Sequence, residues 1–249
     1  MSIEPGATKE TRRVLITGCA RSGTKYVAHL LTQMGLDVGH EKMGRDGISS
    51  WCMATPAQTT PWGPGLDGTV DFKCVLHQVR HPALVIPSLS TIAESSWQFI
   101  CEHSPCSMDE PLLLRSAKYW VHWNRKAGEI AEWRYAVERL PEHFDEFCRR
   151  IGVPADRKAL RAVAPNVNTR AYTGINKLLA WAALKVTDEP PAFIRTRLDR
   201  RAYAKSTDTE GGFSYAALRD LDKTTHDELK SLLAEYGYGE TPPAGGGGA

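Results

Sequence analysis

The sequence predicts an α/β domain of three layers, with a mostly parallel central sheet flanked by helices. Short apolar runs alternate with amphipathic segments along the chain, an order typical of parallel sheets. A glycine-rich loop of the P-loop kind joins the first apolar run to the first helical pattern. The 249 residues, of which 42% are hydrophobic, suffice for one full core. We expect a single domain over residues 13–240, with disordered tails at 1–12 and 241–249.

Composition narrows the classes of function. The 31 basic and 29 acidic side chains give a formal charge of only +2, which argues against a protein that coats nucleic acid. No apolar run is long enough to cross a membrane and the first dozen residues are polar, so we expect a cytoplasmic protein. The six cysteines are irregularly spaced and include no CxxC pair, which favours reduced thiols over a zinc or redox site.

The first elements are a strand, a loop and a helix. Residues 13–18 are a short apolar run that ends in glycine, which favours a buried strand. Apolar residues recur at helical spacing after Thr24, and Gly35 stands where a helix commonly ends. Residues 36–38 indicate a second short strand. Residues 39–64 are rich in Gly, Pro, Ser and Thr, and therefore predict a long, irregular and functional loop.

The middle of the chain continues the alternation. Residues 70–79 predict a strand, after which Pro82 begins a helix that we expect to be interrupted near Pro87. Asp109 is the expected cap of a long helix entered at Pro111.

The last elements are less regular. Residues 133–140 indicate another strand, and an amphipathic helix that ends at Gly152 follows it. Two further helices are expected, around 176–186 and 215–236.

The loop from Gly18 to Lys25 has the glycine spacing of a P-loop. Glycines let the backbone turn its N–H groups inward, and the positive end of the next helix dipole favours an anion. In a Walker A loop, lysine follows the second glycine directly, but here Thr24 precedes Lys25. No predicted strand ends in an aspartate suited to bind magnesium, so a metal-free phosphate loop is favoured. The alternative is a simple glycine turn.

Two motifs resemble those of the PAPS-dependent sulfotransferases, a branch of the P-loop kinase-like fold. The loop of that family reads Arg or Lys followed by Ser-Gly-Thr, and residues 21–24 match it. Its second signature is an arginine at the end of a strand, then Asp, His or Asn, then Pro, with a serine eight positions after the arginine. Residues 80–82 and Ser88 match this pattern. Weaker matches at 119–124 and 133–140 extend the resemblance.

The resemblance implies transfer of a sulfuryl group from PAPS (3'-phosphoadenosine 5'-phosphosulfate) to a hydroxyl or amine, with PAP as product and no metal required. A planar guanidinium suits the 3'-phosphate that distinguishes PAPS from ATP. The implied donor-binding residues are Arg21, Ser22, Gly23, Thr24 and Lys25 at the 5'-phosphate, Arg80 and Ser88 at the 3'-phosphate, and Arg170 from a weaker match at 168–170.

The implied catalytic residues are Arg21, Glu41 and His40. Arg21 stands where many family members place a lysine that assists the leaving group. Related enzymes carry a His or Glu base after the second strand, where His40 and Glu41 occur. Glu41 is the first choice, and His40 is a competitor. Either residue could instead be an ordinary solvated loop residue. His77, in the middle of a predicted strand, is expected to be a hydrogen-bonded core residue.

Two other functions stay open. A P-loop kinase would use ATP and magnesium with Lys25 in a shifted register, and a non-catalytic module would bind the nucleotide without turnover. The acceptor is expected to be a small molecule, a carbohydrate or a glycolipid, and its identity is not encoded in any motif.

Overall fold

The computed structural model describes residues 9–55, 59–60, 63–64, 70–163 and 213–243. The predicted helix at 176–186 lies outside the described residues, as does Arg170. Within them the strands are β1 (Glu10–Gly18), β2 (Val38–His40), β3 (Gly47–Ser49), β4 (Thr59–Thr60), β5 (Gly63–Pro64), β6 (Val70–Val79) and β7 (Trp133–Ala136).

The helices of the described residues lie on both sides of a central sheet. They are α1 (Thr24–Gln33), α2 (Pro82–Leu89), α3 (Glu94–His103), α4 (Leu112–Ile130), α5 (Leu140–Ile151), α6 (Arg157–Ala162), α7 (Tyr215–Leu221) and α8 (Lys223–Glu235). Two 3-10 turns, Trp51–Ala54 and Val137–Arg139, complete the set.

The predicted α/β class is confirmed. The central sheet has five strands in the order β2-β3-β1-β6-β7, and every pairing within it is parallel. Helices α1, α5 and α6 pack on one face, around Leu30, Phe144 and Phe147. Helices α2, α3, α4, α7 and α8 pack on the other, around Trp120 and Trp123. Strand β1 is central, so Val14, Leu15 and Ile16 are buried, as their continuous apolar run predicts.

The N-terminal boundary of the sheet differs from the prediction. Strand β1 begins at Glu10, three residues before the predicted start, and Glu10, Thr11 and Arg12 pair with β6. These polar residues belong to the sheet and not to a disordered tail. Backbone pairing with β6 places them there, although their side chains are not buried in the core.

The prediction of an irregular loop over 39–64 is wrong in part. Strand β2 lies at Val38–His40, two residues later than predicted, and β3 follows at Gly47–Ser49. Their three-residue length is too short to show a pattern. Gly47 has a φ of 146°, and a Cβ there would lie 1.9 Å from the Val14 carbonyl oxygen. Strand β3 can therefore pair closely with β1 only because residue 47 is glycine.

The predicted strand over 133–140 is also shorter. It ends at Ala136, a 3-10 turn occupies Val137–Arg139, and α5 begins at Leu140. The helix ends at Gly152, as predicted, with a left-handed φ of 76°. The apolar residues after Ala136 are buried in a turn. Their spacing alone does not distinguish such a turn from the continuation of a strand.

Helix starts and breaks differ from prediction in three places. Helix α4 follows Pro111 with no side-chain cap, so Asp109 does not cap it. Helix α2 continues through Pro87 and ends at Leu89. The predicted 215–236 helix is two helices, because the Asp222 side chain accepts from the Thr225 N–H and starts a new helix there.

Two predictions from composition concern the whole chain. All six cysteines are free thiols, five of them buried. Among the described helices, none combines the length and the apolar character needed to span a bilayer.

Candidate functional site

The loop between β1 and α1 is a tight cradle of main chain. A Cβ at Gly18 would lie 2.1 Å from the Gln78 carbonyl oxygen on β6, so only glycine fits there. Gly23 has a φ of 95° and directly precedes α1. Arg21 also adopts a left-handed φ, of 69°, which is uncommon for a residue other than glycine. The chain therefore turns sharply between the end of β1 and the start of α1.

The start of α1 is suited to bind an anion. No side chain caps it, and its first turn holds no acidic residue. The positive end of the helix dipole therefore faces the loop without a protein carboxylate to neutralise it. Arg21 and Lys25 add exposed cationic side chains on either side.

Two buried side chains fix the shape of the loop. The Gln78 amide donates to the Ser22 carbonyl oxygen at 2.7 Å, and the Tyr135 hydroxyl donates to the Gln78 amide oxygen at 2.7 Å. The Ala20 N–H donates to the Tyr119 hydroxyl oxygen at 2.7 Å. Strand β6 and helix α4 thus each hold the loop through a hydrogen bond, and strand β7 holds the Gln78 side chain in place.

Arg80 reaches the loop from the end of β6. Its Nη1 donates to the Arg21 carbonyl oxygen at 3.2 Å, and its own carbonyl oxygen accepts from the Trp120 indole at 3.1 Å. Only 9% of the residue is exposed, and this burial lowers the pKa of Arg80 while the nearby Glu138 raises it. The guanidinium stays cationic, because arginine is not deprotonated in proteins at ordinary pH.

A cavity of about 410 Å³ opens in front of the loop. Seven of the sequence-predicted site residues line it: Arg21, Gly23, Thr24, Lys25, His40, Glu41 and Arg80. The structure thus brings residues from the β1–α1 loop, the end of β2 and the end of β6 to one place. These are the carboxyl ends of parallel strands, where ligands bind in open α/β sheets.

His40 and Glu41 face the cavity beside the loop. The Thr24 hydroxyl and His40 Nε2 lie 3.2 Å apart, and Glu41 Oε1 lies 3.8 Å from that same nitrogen. Burial lowers the pKa of His40, Lys25 lowers it further, and Glu41 opposes both. The Trp51 indole donates to Glu41 Oε1 at 3.0 Å. A hydrogen-bonded carboxylate therefore sits next to an imidazole whose neutral form is favoured.

Two of the predicted site residues do not line the cavity. Ser22 is fully buried under the loop, and its hydroxyl has no partner among the described residues. Ser88 is half-buried on α2 and donates to the Val85 carbonyl oxygen at 2.8 Å, and it does not line the cavity. Arg170 lies outside the described residues. His77 is a core residue, as expected, with Nε2 3.0 Å from the Asn124 side-chain oxygen.

Sequence reasoning missed part of the cavity wall. Trp51, the turn between α2 and α3, and the first turn of α3 also line it. The residues are Trp51, Thr91, Ile92, Ala93 and Ser96. No motif marks that turn, since its residues reach the loop only through the fold. Gln78 was also missed, although a polar amide in the middle of a buried strand signals that it has a partner.

Comparisons with known proteins add little. No family model matches the chain, and no curated protein matches it. Among solved structures the chain is similar to mouse sulfotransferase SULT7A1, in a crystal structure complexed with PAP. The two share 11% identity with a TM-score of 0.38, over 86% of this chain and 90% of the other. At that TM-score the similarity defines neither a family nor a function for this chain.

Proposed function

We propose that this chain is a sulfotransferase that takes the sulfuryl group from PAPS and passes it to a hydroxyl or amine of a small-molecule, carbohydrate or glycolipid acceptor. The loop would hold the 5'-phosphate of the donor and Arg80 its 3'-phosphate. The position of Arg80 carries this proposal, because its guanidinium lines the same cavity as the loop and donates to the loop's own main chain.

The chain's own residues fit such a donor. The uncapped start of α1 and the glycine cradle suit a phosphate bound by main-chain N–H groups. Ser22 stays a proposed contact from the sequence match, although its hydroxyl is fully buried and the residue does not line the cavity. A second, separately held guanidinium suits a nucleotide with phosphates at both ends. Bound PAPS supplies an activated sulfuryl group.

The 3'-phosphate contact involves more than Arg80. We retain Ser88 as a proposed contact, although its hydroxyl would have to leave the Val85 carbonyl oxygen to donate to a phosphate. Thr91 lines the cavity, although its hydroxyl donates to the Ser88 carbonyl oxygen at 2.9 Å. Arg170 stays a proposed contact on the sequence match alone.

Charge that develops on the leaving phosphate would be met by Arg21 and Lys25. Both side chains are exposed and line the cavity. Preorganised donors aimed at developing charge each contribute about 3 kcal/mol to the barrier. We therefore expect Arg21→Ala to lower kcat by a factor of about 100 to 1,000.

The acceptor proton would be taken by Glu41. Its carboxylate is fixed by the Trp51 indole and faces the cavity, as a general base requires. His40 is the second candidate: burial favours its neutral, proton-accepting form, but its Nε2 already lies within hydrogen-bond distance of Thr24.

The donor is tested by thermal shift with two ligands. Adenosine 3',5'-bisphosphate at a hundredfold excess over its dissociation constant should stabilise the protein by about 2.7 kcal/mol. ATP with magnesium at the same concentration should stabilise it less, and addition of EDTA should leave the bisphosphate effect unchanged. Greater stabilisation by ATP, seen only with magnesium, would support a kinase instead.

Turnover is tested with Glu41→Gln. The variant keeps an amide oxygen for the Trp51 indole but loses a basic carboxylate, so PAP release should fall by a factor of about 100 to 10,000 at unchanged affinity for the bisphosphate. His40→Gln is the matched control and should lose less. Full activity in Glu41→Gln would refute the base assignment. Bisphosphate binding without turnover on any acceptor would favour a non-catalytic module.

A further inference from the structure

The residues that follow α8 contact the strand end that carries Arg80. His81 Nε2 donates to the Gly239 carbonyl oxygen at 2.9 Å, and the rings of His81 and Tyr238 meet edge-on with centroids 5.2 Å apart. His81 Nδ1 accepts from the Ala83 N–H at 3.2 Å, which fits a neutral ring with its proton on Nε2. Segment 236–239 therefore contacts His81, the residue directly after Arg80, through a hydrogen bond and a ring contact.

Glu138 joins that segment to the same strand end. It lies in the 3-10 turn after β7. One carboxylate oxygen accepts from the His81 N–H at 2.8 Å, and the other accepts from the Tyr238 hydroxyl at 2.8 Å. Burial and the neighbouring carboxylate both raise the pKa of Tyr238, so its hydroxyl stays protonated and donates. Tyr238 therefore fixes the orientation of the Glu138 carboxylate.

Both polar groups of the peptide between Arg80 and His81 are held by side chains. The Arg80 carbonyl oxygen accepts from the Trp120 indole at 3.1 Å, and the His81 N–H donates to Glu138. A peptide unit fixed at both its oxygen and its nitrogen cannot rotate, so the direction in which the Arg80 side chain leaves the backbone is fixed as well. One of these two restraints depends on Tyr238.

We propose that Tyr238, acting through Glu138, is a positioning residue for Arg80 and sets the preference of the cavity for a nucleotide that carries a 3'-phosphate. This inference rests on the proposed function, in which Arg80 binds that phosphate. Tyr238 itself need not touch the nucleotide. It differs from the residues of the loop in this respect, since they contact the ligand directly in the proposed function.

The test is a ratio of two dissociation constants, measured by calorimetry on the full chain. The probes are adenosine 5'-monophosphate and adenosine 3',5'-bisphosphate, which differ only in the 3'-phosphate. Tyr238→Phe keeps the ring against His81 and removes the hydroxyl. We expect it to weaken bisphosphate binding about tenfold and to leave monophosphate binding unchanged, because only the first depends on the aim of Arg80.

A matched control comes from the same segment. Tyr236→Phe also removes one hydroxyl, but this hydroxyl interacts with Arg134 and not with Glu138. It should leave the ratio at its wild-type value. In an Arg80→Ala background, Tyr238→Phe should cause no further loss of preference, since the residue through which it acts is gone.

The outcomes distinguish a failure of the proposed function from a failure of the positioning role of Tyr238. A wild-type ratio near one overturns the proposed function and this inference together. A high wild-type ratio that Tyr238→Phe leaves unchanged, or a loss of affinity shared equally by both probes, overturns the inference alone. Should Tyr238→Phe fail to fold, Glu138→Asp keeps the charge but draws the carboxylate back from its two donors, and the same fall in the ratio is expected.

Discussion

Gln78 supports the loop between β1 and α1, and its replacement by leucine tests how the loop keeps its shape. The side chain is fully buried and makes two hydrogen bonds of 2.7 Å, one to the Ser22 carbonyl oxygen and one from the Tyr135 hydroxyl. Leucine has a similar volume but can make neither bond. Both partners are themselves buried, so water cannot replace what is lost.

The cost follows from the two partners left behind. A buried polar group without a partner costs about 1–3 kcal/mol, so Gln78→Leu should lower the free energy of unfolding by about 2–6 kcal/mol. That is a large part of the roughly 5–15 kcal/mol typical of a domain. Tyr135→Phe is the matched variant: it removes only the second bond, leaves one buried oxygen without a partner, and should cost about 1–3 kcal/mol.

Urea unfolding followed by circular dichroism gives both free energies. The affinity for adenosine 3',5'-bisphosphate provides the second readout. Gln78→Leu should weaken that affinity because the Ser22 backbone is released, whereas Tyr135→Phe leaves the Ser22 bond in place and should bind normally. If Gln78→Leu unfolds within about 1 kcal/mol of the wild type and binds equally well, the loop is not held by this amide.

Three further outcomes are expected. Gly18→Ala places a methyl 2.1 Å from the Gln78 carbonyl oxygen, so β1 and β6 must separate and the melting temperature should fall by a shift equivalent to about 3 kcal/mol; an unchanged melting temperature would contradict this close approach. Arg80→Lys should weaken bisphosphate binding about 10- to 100-fold in calorimetry, since an ammonium cannot bind phosphate in a bidentate manner, and equal affinity would argue against the contact. Burial lowers the pKa of His77 from 6.5 to about 4, so the unfolded chain binds the extra proton first as pH falls. The free energy of unfolding should therefore drop by about 3 kcal/mol between those two pH values, and His77→Gln should flatten that part of the curve; identical pH profiles would refute the assignment.

The long elements could be predicted from the sequence because their patterns are local. Strand β6 and the start of α1 were placed at the correct residues, since an apolar run and a glycine each carry their own signal. The three-residue strand β3 carries no such signal and forms because β1 offers it a partner. Strand β2, which the sequence places two residues too early, pairs in turn with β3. The predicted end of β7 is wrong for the opposite reason: the apolar residues of the following turn continue the pattern of a strand.

The same distinction applies to the candidate site. The loop and Arg80 were found because each lies in a short motif. Thr91 and Trp51 were not assigned to the site, because they reach it from distant segments through packing. Ser88 shows that spacing in the sequence does not predict the contacts of a side chain. It occupies the expected position after Arg80, yet its hydroxyl donates to a carbonyl oxygen of its own helix.

The cations of the cavity differ in how they are held, and this difference separates their roles. Arg21 and Lys25 are exposed, so solvent screens their charges before a ligand binds. Arg80 is buried, bonded to the loop main chain and fixed through the peptide that follows it, so its desolvation cost is met during folding. A fixed guanidinium discriminates between ligands by geometry, and exposed cations stabilise charge where it appears. A chain with a formal charge of only +2 thus gathers three cationic side chains at one cavity, which is the site that we propose for a doubly phosphorylated ligand.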